Sequence, residues 1–255
     1  MASVPRHDRQ FLLMGAKRNA VLELQEVERY GIDSYGDADW VSIYGLRPAE
    51  WYARGARVLG RTAVECTRDR LGDAIGRHVA AVVRQPSPLV IDLFAGSGNT
   101  LYWLLRHLPR ARGLGFEIDP MVFALTRDNL AALALPVDIR NVDYVSGLAD
   151  VRMSADQLLV VFIAPPWGEA LDPTSGLDLR RTTPSISEIL DVLGRDIRAN
   201  PLLCVIQVHE RLVPGPLAEV RARFDWSELR IFDLNAPGDK PGVLLGANGW
   251  NPGMA

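Results

Sequence analysis

Leu89-Val90-Ile91-Asp92-Leu93-Phe94-Ala95-Gly96-Ser97-Gly98-Asn99 is the stretch that decides the fold. A short apolar run ends in an acidic residue, passes through a glycine-rich turn and gives way to a helical pattern. The run fits a strand buried on both faces. Gly96 and Gly98 let the backbone turn tightly and approach a ligand with no Cβ in the way. The following helix points its first N–H groups back toward that ligand. Such a turn grips a cofactor at the carboxyl end of the first parallel strand of an α/β sheet.

Downstream, strand and helix patterns alternate as a doubly wound sheet requires. The periodicity predicts helix over 100–107, strand over 112–118 and helix from Asp119-Pro120 to Leu133, with Pro120 suited to the first helical position. Strands follow over 137–141, 157–164 and 202–208, with helices over 186–198 and 216–224. Leu229–Leu234 and Val243–Leu245 read as a final strand pair. Upstream the pattern is helical over 8–30 with Gly31 as its stop, from Arg47-Pro48 onward, and over 62–83. The expected division is a helical extension, residues 1–85, in front of an α/β domain, residues 86–255. Residues 1–8 read as a polar, loose start.

A dinucleotide fingerprint would carry a third glycine, and Asn99-Thr100-Leu101 follows Gly98 instead. The D-x-x-x-G-x-G spacing of Asp92, Gly96 and Gly98 resembles motif I of class I S-adenosylmethionine-dependent methyltransferases. That resemblance implies a Rossmann-like methyltransferase sheet with helices on both faces. It implies S-adenosylmethionine as cofactor, its methionine end held by Asp92, Phe94, Ala95, Gly96, Gly98, Asn99 and Thr100. Glu117, closing the second strand, offers a carboxylate to both ribose hydroxyls of an adenosine-containing cofactor, with Ile118 beside it. Asp119 is its rival, better suited to capping the next helix. Asp143, after the third strand, would accept from the adenine amino group, or else close an Asx-turn.

The second strong signal ends the fourth strand: Phe162-Ile163-Ala164-Pro165-Pro166-Trp167-Gly168. Two prolines fix a stiff extended loop and leave main-chain carbonyls bare, next to a flat aromatic face. The loop resembles motif IV of amino-methyltransferases. There a polar side chain and a proline carbonyl accept from the target amine and the aromatic packs on its ring, so Pro165, Pro166 and Trp167 are the candidate catalytic residues. Positioning the nitrogen is most of what such a site contributes. With Gly176-Leu-Asp-Leu-Arg180 downstream, and more faintly Asp39-Trp40-Val-Ser42 upstream, the pattern over residues 38–210 is similar to trimethylguanosine synthase-like enzymes, the RNA cap guanine-N2 methyltransferases. By that likeness Trp167 stacks on the acceptor ring, while Asp178 and Arg180 shape the pocket wall or pair with each other. Two departures stand out. Ala164 has no acceptor side chain where the family has a polar one and would only line the cofactor. Glu169 puts a carboxylate at the pocket mouth, which suits a cationic or amine substrate.

Composition narrows the partners. The chain has 255 residues, 48% of them hydrophobic and 23% charged, and a net charge of −3. No basic field suited to long RNA is present, so the expected acceptor is nucleotide-like or a small molecule, with RNA as a possibility. Cys66 and Cys204 read as small buried hydrophobes rather than a disulfide, and His7, His78, His107 and His209 have no metal-ligand spacing. No apolar run approaches the ~20 residues of a membrane span and no signal peptide is evident, so a cytoplasmic setting without membrane contact is expected. Trp40 and Trp51 belong either to the acceptor pocket or to the core.

Overall fold

The computed structural model describes residues 7–154, 156–196, 200–234 and 240–252. In chain order its strands are β1 (Leu89–Asp92), β2 (Arg112–Phe116), β3 (Ile139–Arg140), β4 (Leu159–Ile163), β5 (Leu171–Asp172), β6 (Gly176–Leu177), β7 (Leu202–His209), β8 (Trp226–Ile231) and β9 (Pro241–Asn248). The helices are α1 (Arg9–Met14), α2 (Leu24–Tyr35), α3 (Pro48–Ala53), α4 (Gly60–Glu65), α5 (Asp69–Val82), α6 (Asn99–His107), α7 (Pro120–Ala132), α8 (Tyr144–Ala149), α9 (Ile186–Asp196) and α10 (Pro214–Arg221).

β5 and β6 pair as a small antiparallel hairpin; the other seven strands form one sheet in the order β3-β2-β1-β4-β7-β9-β8. The first five strands of that order are parallel, and β9 runs antiparallel to both β7 and β8. The chain works outward from β1 to β2 and β3, then crosses back to lay β4 on the other side of β1. That reversal opens a crevice at the carboxyl ends of β1 and β4, the place where open α/β sheets take ligands. The last strand inserted inside its predecessor completes the Rossmann-like arrangement of the class I methyltransferase fold.

Both sheet faces are covered, which is why β1, β4 and most of β7 are apolar without alternation. One face buries Ile91, Val161, Ile163, Cys204 and Ile206 against Ile189 and Leu193 of α9. The other buries Val90, Phe162, Leu203 and Val205 against Ile75 and Val79 of α5 and Leu101 and Leu104 of α6. α5 and α6 approach closely because Gly72 and Gly76 face Trp103: a Cβ on Gly76 would lie 2.7 Å from the Trp103 carbonyl oxygen. A third cluster gathers Leu12, Val27, Tyr30, Trp40, Trp51 and Val58 of the N-terminal region with Leu130 of α7. Trp51 is fully buried, its Nε1 donating to the Val41 carbonyl at 3.0 Å.

Several boundaries differ from the sequence expectation. The stretch expected as one helix over 8–30 is two, α1 and α2, with Val21 bridging Leu59 between them. Gly31 does not end α2. It lies buried inside the helix, where a Cβ would sit 2.1 Å from the Asp37 carbonyl oxygen, and Gly36 in the left-handed region (φ 71°) is the true stop. Residues 62–83 likewise divide into α4 and α5, with Cys66 extended at the break. The third strand shrinks to Ile139–Arg140, and α8 and the β5–β6 hairpin have no expected counterpart. Residues 1–6 of the polar start and 197–198 of the helix expected over 186–198 lie outside the described residues. Among the described residues no helix is long and apolar enough to cross a membrane, and no group of three or more His, Cys, Asp or Glu side chains could hold a metal ion.

Candidate active site

β1 delivers Asp92 to the crevice with 1% of its surface exposed. Its Oδ1 accepts from the Phe94 N–H at 3.1 Å, which starts the turn. Burial, with the nearby Glu117 charge adding to it, pushes the Asp92 carboxyl up to about 7. A nearby cation would favour the ionised form of so buried an acid. Gly96 (φ 50°) and Gly98 (φ 71°) then carry the chain through left-handed conformations that suit glycine. A Cβ on Gly96 would meet nothing nearer than the Phe94 carbonyl oxygen at 3.9 Å, so the space beyond that position is open.

Glu117 binds the turn to the end of β2. One carboxylate oxygen accepts from the Gly96 N–H at 2.9 Å, the other from the Asp119 N–H at 2.8 Å. Burial raises its carboxyl above the ordinary range despite those two bonds. Each oxygen keeps a second lone pair for a hydroxyl donor. Asp119 caps α7 as expected, accepting from Met121 and Val122, and pairs with Arg61 at 2.8 Å. Asp143 caps α8 through Val145 and Ser146, and hydrogen bonds from Ser146 hold its carboxyl below the ordinary value. The Asx geometry is thus present, and only Oδ2 is left for a ligand. Around these carboxylates the surface is apolar: Ile118 is 70% exposed, and Met121 and Val145 stand in solvent as well. Asn141 donates to the carbonyls of Glu117 and Ile118 and fixes that ledge.

Three further candidate cofactor residues are buried. Ala95 is buried, its N–H on the Phe116 carbonyl at 2.8 Å. Thr100 is buried at the start of α6. Asn99 is fully buried and both of its amide hydrogens are used. Oδ1 accepts from the Tyr44 N–H at 2.7 Å, and Nδ2 donates to the Thr67 carbonyl at 2.7 Å and to Asp69 at 3.1 Å. Tyr44 Oη also donates to the Ser97 carbonyl. The side chain of Asn99 therefore ties the N-terminal region to the turn. Nothing in the sequence separates that role from a cofactor contact, because its partners lie 30 to 55 residues away.

β4 lies beside β1, with Phe162 opposite Asp92, so the Ala164–Gly168 loop leaves the sheet next to the glycine turn. Pro165 is buried and Pro166 exposed; Trp167 is half-buried, packed on the core and set edge-on to His209 at 6.2 Å between ring centroids. Among the described residues no N–H donates to the carbonyls of Ala164, Pro165 or Pro166. Glu169 is exposed in the short 3₁₀ turn that follows. Asp178 and Arg180 pair with each other, Nε to Oδ1 at 3.4 Å, and Arg180 reaches Glu219 at 3.8 Å. Of the two alternatives for this pair, the ion pair is the one formed. Trp40 stacks on Tyr35 at 3.8 Å, with the Arg68 guanidinium 4.0 Å over its ring, so it is a core residue beneath a cation.

No protein-family model matches the chain. A 64-residue stretch, 25% of the chain, is 42% identical to 4-amino-L-phenylalanine/4-methylamino-L-phenylalanine methyltransferase of Streptomyces pristinaespiralis, and spans 22% of that protein. Among solved structures, the C-terminal domain of precorrin-6Y C5,15-methyltransferase from Rhodobacter capsulatus overlaps 72% of this chain and 91% of its own. The identity is 15% and the TM-score 0.49. Spermidine synthase from Thermotoga maritima overlaps 72% of this chain and 62% of its own at 15% identity and a TM-score of 0.48. The strand order, rather than these partial overlaps, defines the fold.

Proposed function

We propose that the chain is an S-adenosylmethionine-dependent methyltransferase that methylates an amino group on an aromatic ring. The observation that carries it is the placement of the Ala164-Pro165-Pro166-Trp167 loop on β4, directly beside the β1 turn. The residues fit the cofactor. Asp92 is a buried acid suited to the ammonium of its methionine end, Glu117 has lone pairs for ribose, and the exposed Ile118 and Val145 suit the flat face of adenine. When bound, S-adenosylmethionine supplies an electrophilic methyl group. The protein's part is orientation: bare proline-loop carbonyls accept from the acceptor amine and Trp167 packs on its ring, which aims the nitrogen lone pair. No strong base is required, since an alkylated amine is acidic enough to lose its proton to water.

The short match to an enzyme named for 4-amino-L-phenylalanine supports a small aromatic amine as acceptor. Guanine-N2 is the second reading, favoured by the Pro-Pro-Trp-Gly sequence; the net charge of −3 weighs against long RNA. The test is calorimetry with S-adenosylmethionine, followed by transfer of a tritiated methyl group to 4-amino-L-phenylalanine, aniline, guanosine and a capped dinucleotide. Binding with transfer to a ring amine is expected. Binding without transfer to any of the four overturns the N-methyltransferase reading, and no binding overturns the cofactor assignment.

A further inference from the structure

We propose that Gln207 provides the side-chain acceptor that Ala164 lacks, so that the amide of β7, not the residue before the prolines, receives an N–H of the acceptor amine. This deepens the aromatic-amine reading above and rests on it.

The strand register places Gln207. β4 and β7 are parallel, with Phe162 opposite Val205 and Ile163 opposite Ile206, so the next pair in line is Ala164 and Gln207. Alternation along the strands fixes the face. Val90 of β1, Phe162 of β4 and Leu203 and Val205 of β7 all point to the α5–α6 side, and Ala164 packs there too. Asp92 and Gln207 follow on that same face. Ala164 and Gln207 therefore stand side by side on the face that carries Asp92, two residues beyond the level at which Asp92 meets Phe162. Gln207 is the one polar position between Leu202 and Val208, and it is half-buried. An amide in such a place carries a desolvation cost unless hydrogen bonds offset it.

Among the described residues its amide makes one hydrogen bond: Oε1 accepts from Thr67 Oγ1 at 3.1 Å. Thr67 is itself held by the glycine turn, its carbonyl accepting from Asn99 Nδ2 at 2.7 Å. The amide is thus clamped between the sheet edge and the segment before α5, with one Oε1 lone pair used and one left. Ala164 brings only a methyl group to the position beside it. An amine approaching the proline loop meets carbonyls on one side and Gln207 on the other, which is the pair of acceptors a polar residue at 164 would otherwise complete.

A purely structural role, tethering Thr67, makes a different prediction, and the full-length chain can separate the two. Q207L, Q207E, T67V and the double variant Q207L/A164N are compared with wild type for transfer to 4-amino-L-phenylalanine, aniline and guanosine. Cofactor affinity by calorimetry and thermal midpoint are measured alongside. Expected for Q207L is a loss in kcat of about tenfold or more with little change in KM, since one acceptor bond made in the transition state is removed. Cofactor affinity stays at the wild-type level. Q207E, which keeps an acceptor oxygen at the place of Oε1, retains most of the rate. T67V loses much less than Q207L, and A164N restores part of what Q207L loses. Q207M, close in shape but without the acceptor, carries the same test if Q207L does not fold. A wild-type kcat in Q207L, or equal losses in T67V and Q207L, overturns the inference alone. A wild-type chain that binds cofactor and methylates none of the three amines overturns the aromatic-amine reading and this inference with it.

Discussion

Replacing Asn99 with alanine removes one side chain and strands three partners in two separate segments. The Tyr44 N–H and the Thr67 carbonyl each lose a 2.7 Å bond, and Asp69 loses one at 3.1 Å. Asp69 keeps Trp103 Nε1 at 2.7 Å and the Gly45 N–H at 3.0 Å, so it is the least affected. Tyr44 is the most affected. It is buried and sits at φ 58°, a left-handed conformation costing a non-glycine residue about 1 kcal/mol, and Asn99 is the acceptor that holds its N–H there. Three bonds at a net ~1 kcal/mol each, with a further ~1–2 kcal/mol for an orphaned buried donor, give a destabilisation of about 4–5 kcal/mol. Against a typical total of roughly 5–15 kcal/mol this is severe. Urea unfolding followed by far-ultraviolet circular dichroism measures it directly, and the thermal midpoint should fall by on the order of 10 °C. N99D sharpens the test, because it turns an acceptor toward the Thr67 carbonyl and the Asp69 carboxylate and should cost more than N99A. A loss below about 1 kcal/mol for N99A, or N99D more stable than N99A, would refute the reasoning.

Asp92 gives a pH signature. Its carboxyl is pushed up to about 7, first by burial and then by Glu117. The folded state therefore holds its proton more tightly than the unfolded state, and stability falls as pH rises between about 4 and 7, then levels off. The span is of order 4 kcal/mol, and urea unfolding at pH 5 and pH 8 should show D92N losing that dependence and exceeding wild type at pH 8. Because an ammonium partner favours the ionised acid, affinity for S-adenosylmethionine should also rise from pH 6 to 8 in wild type and not in D92N, which calorimetry in buffers of differing ionisation heat will report. G76A should lower the thermal midpoint by an amount matching about 1–3 kcal/mol, because backbone rather than a flexible tip lies 2.7 Å from the new Cβ. G215A, whose new Cβ in α10 meets nothing within 4 Å, should leave stability unchanged or raise it by up to ~1 kcal/mol.

Local chemistry was legible; long-range pairing was not. The β1 turn, the Asp119 cap and the proline loop each depend on neighbours within a few residues, and all three stand where the pattern put them. The helix stop at Gly31 failed for the converse reason. A glycine can serve a turn or a close approach, and only the tertiary contact with Asp37 and Trp40 decides which. The breaks at Val21 and Cys66 escaped because helical periodicity continues across them while an isolated bridge and an extended residue interrupt the backbone. Within the site, Asn99 has the residue type of a ligand contact, yet its amide serves Tyr44, Thr67 and Asp69. Gln207 shows in a linear reading only as a lone polar residue in an apolar strand, with nothing to say what it faces. It becomes conspicuous once the register sets it next to Ala164 and Thr67 is found on its amide.

Glu117 bridges the two loops on either side of the cofactor end, with one oxygen on Gly96 and the other on Asp119. On the reading proposed above, the seat for the methyl donor is assembled when the chain folds, whatever the acceptor. The acceptor side of that reading draws on two segments, the loop after β4 with Ala164 and Glu169 and the end of β7 with Gln207. A substitution at Ala164 or Gln207 would then alter the choice of acceptor without loosening the carboxylate clamp that Glu117 sets across the two loops.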